Sequence, residues 1–454
     1  MTIDNMQLEL FISGAALLLA VSVLWNLYRE VTSPLRTIKG PALARWTRFW
    51  YFYRVARGRF ELDNIALHRK YGKIVRVAPN HFSIDDPSAI KTIYGIGTAF
   101  TKSAWYAGFS NPGEPRSSIF PDRDIKRHAE DRRKFQSLYS MTSITGYEPF
   151  VDECADLLTD HLNEFAETNK EVNMAHWFQC YAFDVIGNIT FGKRFGFLDH
   201  GEDIQGMISA ISSHMRYSAL VGIFVEWHPI LFRQMQRLKR SGASGRLFLM
   251  QFVQKMIGDR MKQNKQPVES TKTTDFLDRM LETHQNDPKK VTNYHIFMMG
   301  IANVIAGSDT TSLSLSAILY YLLRNPDCLE KLRQEIIHQQ ENGLLSEKPT
   351  FRETQAMPYL QAVIKEALRM HAATGLPLWR DVPAGGCEIS GQFFPEGTVV
   401  GVNTWVAHYN NTVFHNAEDF NPDRWIDGSE NLKAMDAYYM PVGTSDISFE
   451  ATGY

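Results

Sequence analysis

Ala306-Gly307-Ser308-Asp309-Thr310-Thr311 sets a carboxylic acid beside two threonines and a glycine. Asp309 is the only charged residue between Ile296 and Leu323. Burying an ionisable group is costly unless it is paired or solvated. An acid in such surroundings is therefore a functional hypothesis. The bland alternative is a set of satisfied core hydroxyls, because a mid-helix Thr can bond the carbonyl four residues back. A second pair, Glu366 and Arg369, lies in Tyr359–Met370 (YLQAVIKEALRM). Positions 360, 363, 364, 367 and 368 make its apolar stripe, and the pair falls on the other side. Periodicity alone makes it a surface contact worth about 0.2–0.5 kcal/mol. The same spacing recurs at Glu130/Arg133 and Glu330/Arg333, so the tetrapeptide by itself decides nothing. A third arginine, Arg424, stands in the turn-rich Phe420-Asn421-Pro422-Asp423-Arg424-Trp425. His128–Ser140 is a basic helix in which Arg132 and Arg133 read by default as a solvated face.

The elements that must hold these groups are mostly helical. Ile296–Leu323 is apolar all round and stops at Asn325-Pro326, so it belongs in a core or a bilayer. Phe49–Tyr71, Glu148–Phe165, Val172–Phe191 and Ile204–Met261 carry further helical patterns, the last broken at Trp227-His228-Pro229. Met261–Thr274 is polar and reads as a loop. Lys73–Ile84 alternates like two short strands around Pro79-Asn80, and Leu376–Val402 holds short β-like runs between Gly and Pro. Thr101–Asp122 is a long loop whose Trp105, Tyr106 and Phe109 favour binding over disorder. The predicted class is mainly α with small β-sheets.

The chain has 454 residues and a formal net charge of −2, which gives no bias toward nucleic acid. Cys154, Cys180, Cys328 and Cys387 are scattered without metal-type spacing and look like cytosolic thiols. Leu10–Tyr28 is uncharged and close to the roughly 20 residues that span a bilayer. Asp4 and Glu9 precede it and Arg29, Arg36, Lys39, Arg45 and Arg48 follow, which predicts an uncleaved anchor with a cytoplasmic body. The expected division is a membrane anchor over 1–30, a hinge over 31–48 and one large domain over 49–454.

Together these stretches resemble the cytochrome P-450 haem-thiolate monooxygenases, from the anchor to about Gly443. AGSDTT matches the family's acid–alcohol motif, Glu366/Arg369 its E-x-x-R pair, and FNPDRW its aromatic-x-P-x-R segment. His128-x-x-x-Arg132 stands where the family often has Trp-x-x-x-Arg. DIKRHAEDRRKFQSLYS and YAFDVIGNITFG are similar to filamentous-fungal members of secondary metabolism, the group of pisatin demethylase. The resemblance implies haem b as cofactor, an NADPH-cytochrome reductase as partner, a small hydrophobic substrate and a single-pass attachment to membrane lipid at the endoplasmic reticulum. It implies that Asp309 and Thr310 relay protons, and an acid beside an alcohol can do this through water. It places His128, Arg132 and Arg380 at the haem, the arginines on propionates. It makes Glu366, Arg369 and Arg424 a buried network and puts residues 101–120, Ala302–Ala306 and Thr374–Leu378 around the substrate.

One motif departs from the family. Its iron ligand is the cysteine of F-x-x-G-x-R-x-C-x-G, which should follow FNPDRW closely. Aligned on that motif, Val442 takes the Phe position, Ser445 the Gly, Ile447 the Arg and Phe449 the Cys. A thiolate pushes electron density into iron to favour O–O cleavage, and Phe cannot. The reading expected here is a C-terminally truncated fold, from a frameshift, a retained intron or a real truncation, that lacks the axial Cys. Two rival functions follow: a non-catalytic remnant that binds a ligand or partner, and a multi-span transporter using Ile296–Leu323 as a second span.

Overall fold

The computed structural model describes residues 30–114, 116, 118–238, 242–263, 274–426 and 431–441, with single positions at Ser13, Val21 and Tyr28. A 32-residue helix, Asn293–Arg324, runs through the centre. Thr292 starts it with a capping box in which its backbone N–H donates to His295 Nδ1 at 3.0 Å. Asn325 and Pro326 end it, as the sequence predicts. Two glycines let neighbouring helices approach closely. A Cβ on Gly307 would lie 2.9 Å from the Ile186 side chain, and one on Gly300 would lie 2.9 Å from Val253. Helix Met174–Phe191, which carries Ile186, lies along the central helix; Val253 belongs to helix Gly242–Gln263. Phe183, Leu249, Val253, Ile301 and Val304 are shared by one core.

No helix among the described residues is long and apolar enough to cross a membrane. The transporter reading is corrected on this point: protein, not lipid, covers the central helix on most sides. Leu10–Tyr28, where the anchor was expected, lies almost wholly outside the described residues. Glu30 accepts from Arg76 at 2.8 Å and also pairs with Arg45, which ties the segment after it to the first strand.

Among the described residues seven short strands form two sheets. They are β1 (Ile74–Ala78), β2 (His81–Ile84), β3 (Thr101–Lys102), β4 (Arg380–Asp381), β5 (Cys387–Ile389), β6 (Gln392–Phe394) and β7 (Val399–Gly401). The larger sheet has the order β1-β2-β7-β4-β3, and β5-β6 is a separate hairpin. Only β2 and β7 pair in parallel. In the antiparallel β3–β4 pair Lys102 stands opposite Arg380. Phe82, Phe394, Val400 and Val402 pack a second core around this sheet.

Three local expectations shift. The loop over 101–122 contains β3 and a 3-10 helix, Ala104–Phe109, whose Trp105, Tyr106 and Phe109 are buried. The break expected at Trp227-His228-Pro229 falls one turn earlier, in the 3-10 segment Gly222–Trp227. Pro229 instead sits in the first turn of helix His228–Met235, where its missing N–H costs nothing. Helix Gly242–Gln263 continues slightly into the stretch read as a loop, and 264–273 lie outside the described residues.

Candidate active site

The hydroxyls of the central helix are largely satisfied within it. Ser308 donates to the Val304 carbonyl at 2.8 Å, Thr310 to Ala306 at 2.7 Å and Ser314 to Thr310 at 2.8 Å. Asp309 turns elsewhere: it accepts a 2.9 Å bond from Gln179 Nε2 on helix Met174–Phe191. Ala306, Thr310 and Leu313 form an exposed stripe at i, i+4 and i+7, while Val304, Ser308 and Ser312 beside them are buried. The acid and the alcohol are thus neighbours in sequence with different surroundings. One faces an amide from the next helix and the other faces open space.

Burial pushes the Asp309 carboxyl above its ordinary value, and the Gln179 bond only partly offsets this. A carboxyl raised on folding makes the native state the better proton binder, so its ionisation lowers stability as pH climbs from the unfolded pKa through the folded one. Asp309→Asn is therefore expected to raise Tm by about 1–2 °C at neutral pH. The gain should vanish below about pH 3, under the ordinary Asp value, where both states are protonated. Thermal melts of both proteins across that range check it, and a gain that grows on acidification would refute it.

A second group gathers at the β3–β4 pair. Arg380 is 7% exposed and donates to the Tyr106 hydroxyl at 2.9 Å. Its guanidinium lies 5.1 Å from the Tyr94 ring centre and 5.5 Å from that of Tyr106. Lys102, 8% exposed, donates to the Ile119 carbonyl at 3.1 Å. Two buried cations therefore share one aromatic-lined corner. Helix Ile125–Phe135 begins at Asp124, whose side chain accepts from Arg127 N–H at 3.0 Å. His128 and Arg132 are one turn apart on it and half-buried, whereas Arg133 is exposed.

Glu366, Arg369 and Arg424 meet in one cluster. Arg369 grips Glu366 with two bonds of 2.8 Å, and both side chains are fully buried. Arg424 Nε donates to Glu366 at 3.0 Å. The Asn421 N–H at 3.0 Å and Trp425 Nε1 at 2.9 Å complete the carboxylate's shell. Arg369 also donates to the carbonyls of His408 and Ala417, at 2.9 and 2.8 Å. The surface contact that periodicity suggests is overturned because the segment 403–425 lies over that face of the helix. Sequence reasoning did not single out Gln179 or Lys102, whose types and spacing carry no signal. Asn421 and Trp425 both lie inside the arginine segment Phe420–Trp425.

The four cysteines lie in other parts of the fold. Cys154 and Cys180 are in the helical core, where burial pushes both thiols up to about 12. Cys328 opens helix Pro326–Glu341 and Cys387 is in β5. Among the described residues no three His, Cys, Asp or Glu side chains form a metal-holding group. Phe449 lies outside them.

The cytochrome P-450 family model matches residues 40–444. Pisatin demethylase of Fusarium vanettenii is 36% identical over 432 residues, covering 94% of this chain and 82% of its own length. A cytochrome P-450 monooxygenase of Aspergillus terreus is 37% identical over 400 residues, covering 86% and 81%. The monooxygenase hepC of Aspergillus oryzae is 31% identical over 456 residues, covering 94% and 86%. With a match that runs through the acid–alcohol helix, the Glu366 cluster and the Arg380 corner alike, the chain belongs to the cytochrome P-450 family of haem-dependent monooxygenases.

Proposed function

We propose that the chain is a membrane-attached monooxygenase of fungal secondary metabolism that oxidises a small hydrophobic substrate, with electrons from NADPH through a reductase. The observation that carries this reading is the open Ala306–Thr310–Leu313 stripe at the middle of the central helix, beside the buried Val304, Ser308 and Ser312. It offers a largely apolar face that holds the Thr310 alcohol. The donor set suits the anionic edge of a haem, because Lys102 and Arg380 put two buried cations on adjacent strands and haem b carries two propionates. His128 and Arg132 would serve that edge from helix Ile125–Phe135. When bound, haem supplies the activation of dioxygen. Thr310 would present its hydroxyl to the open face, and Asp309 would feed protons to that hydroxyl through water. Gln179 would hold the acid in place meanwhile. The loop over 101–120, Ala302–Ala306 and Thr374–Leu378 would exclude bulk water and set the fit of the substrate.

Exposed apolar side chains support attachment to lipid. Leu43, Trp46, Phe49 and Tyr53 lie on two N-terminal helices, and Trp227 and Ile230 lie nearby in sequence to Phe224. The Phe49 and Phe224 rings are 4.8 Å apart, and Arg48 pairs with Glu226, so the two stretches share one face. That face would rest on the bilayer beside Leu10–Tyr28.

A second reading is ligand binding on the same open stripe without oxidation. Haem titration of the full chain, followed by the reduced carbon monoxide spectrum, separates the readings. One bound haem with a thiolate signature and NADPH-driven oxygen uptake supports the first, and haem without that signature supports the second. Arg380→Leu is expected to weaken haem binding by about tenfold or more, the worth of a charge-assisted contact. No haem uptake by the unaltered chain overturns the site.

A further inference from the structure

Arg246 is 3% exposed, on helix Gly242–Gln263. Its hydrogen-bond partner is a backbone carbonyl: Nη1 donates to Phe109 at 3.0 Å. Its Nε is buried with no hydrogen-bond partner. No described carboxylate forms an ion pair with it. Glu114 is the acid that most raises its charge affinity, yet Glu114 Oε1 already accepts the Asn111 amide at 2.9 Å. A buried guanidinium left in this state is costly, and native structures keep such groups paired.

Its neighbours are neutral. His228, 2% exposed, donates through Nε2 to the Ser110 carbonyl at 3.0 Å and accepts at Nδ1 from the Tyr217 hydroxyl at 2.9 Å. His214, also 2% exposed, has Nδ1 3.3 Å from the Ser218 hydroxyl. Burial and the Arg246 charge hold both imidazoles below their ordinary value. Neither imidazole offers Arg246 a negative charge, which leaves Glu114 as the acid that acts on it.

The side chain of the same loop residue leads to an exposed ring. Phe109, whose carbonyl holds Arg246, packs its ring 5.2 Å from Phe120. Phe120 is 45% exposed, although Trp105, Tyr106 and Phe109 around it are buried. A cation and an uncovered aromatic therefore meet at one residue of the loop.

We propose that Arg246 takes the anionic end of the substrate: the ligand is an amphipathic carboxylate whose apolar body lies along Phe109 and Phe120. This rests on the small-hydrophobic-substrate reading and narrows it to a charged class.

The test uses the full chain and two matched probe pairs, dodecanoate against dodecan-1-ol and 2-naphthoate against 2-naphthamide, measured by equilibrium dialysis. In at least one pair the carboxylate is expected to bind about tenfold to a hundredfold tighter, the worth of one charge-assisted bond. Arg246→Gln, which keeps a donor for the Phe109 carbonyl, should abolish that preference, and Arg246→Lys should retain part of it. Glu114→Gln should leave the preference intact or enlarge it. Equal or undetectable binding of both members in both pairs overturns the proposal, as does an undiminished preference in Arg246→Gln with native circular dichroism. Haem content and the carbon monoxide spectrum of the same preparations report on the monooxygenase reading separately. Either can fail while the carboxylate preference stands.

Discussion

Arg369→Leu is expected to cost about 3–5 kcal/mol, enough to leave little folded protein at 37 °C, because it strands the buried Glu366 charge. Glu366 and Arg369 are both fully buried, and the arginine also donates to three backbone carbonyls, of His408, Ala417 and Asp419. Removing it leaves a desolvated carboxylate supported only by Arg424, Trp425 and the Asn421 N–H, and frees those carbonyls. Glu366→Gln should cost less, since a neutral amide leaves no unpaired negative charge, though both arginines then lose their counterion. The sequence provides its own control. Glu330 and Arg333 have the same spacing, lie 3.9 Å apart and are 58% and 62% exposed. Arg333→Leu should change stability by less than about 0.5 kcal/mol. Urea unfolding of the three variants and the unaltered protein checks the contrast. Similar midpoints for Arg369→Leu and Arg333→Leu would remove the argument for the network.

The second large effect is expected at Asp184, which no motif marks. Its carboxylate is fully buried and accepts backbone N–H bonds from Phe195 at 2.7 Å, Gly196 at 2.9 Å and Leu198 at 2.8 Å. These bonds fold the chain back onto helix Met174–Phe191, the helix that also carries Gln179 to Asp309. Asp184→Ala orphans one buried donor and two part-buried ones at about 1–3 kcal/mol each, giving a loss on the order of 4 kcal/mol. Asp184→Asn keeps one acceptor oxygen and should recover about half of it. Hydrogen exchange adds a local reading: the amides of Phe195, Gly196 and Leu198 should lose protection in Asp184→Ala before the central helix does. Unchanged exchange at those amides would show that the bonds contribute nothing.

These two sites show what could be read in advance. The central helix was legible because one charge in a long apolar run, bounded by Asn325-Pro326, is a local pattern. The strands around Pro79-Asn80 were legible for the same reason. Burial of Glu366 was not legible from periodicity, since the residues that cover it arrive about forty positions later. Family resemblance pointed to the cluster where periodicity pointed away. The bond from Gln179 to Asp309 joins positions 130 apart, and Lys102 meets Arg380 only through strand pairing. Composition carries no trace of such contacts. Asp184 sat inside a helical pattern, and its role depends on where the following turn travels.

The buried His408 has a further consequence. Its Nδ1 donates to the Arg369 carbonyl at 2.8 Å, its Nε2 accepts the Met440 N–H at 2.9 Å, and Thr404 Oγ1 donates to the Met440 carbonyl at 3.3 Å. Burial drives this imidazole down to about 3, so the arrangement persists at any physiological pH. Met440 is thereby clamped on both of its backbone groups to the same cluster that holds Glu366. The fold therefore contains a ready-made launch point: a peptide grafted after Met440 would depart from a rigid base. In engineering terms the socket is already machined, and its alignment is set by one neutral histidine.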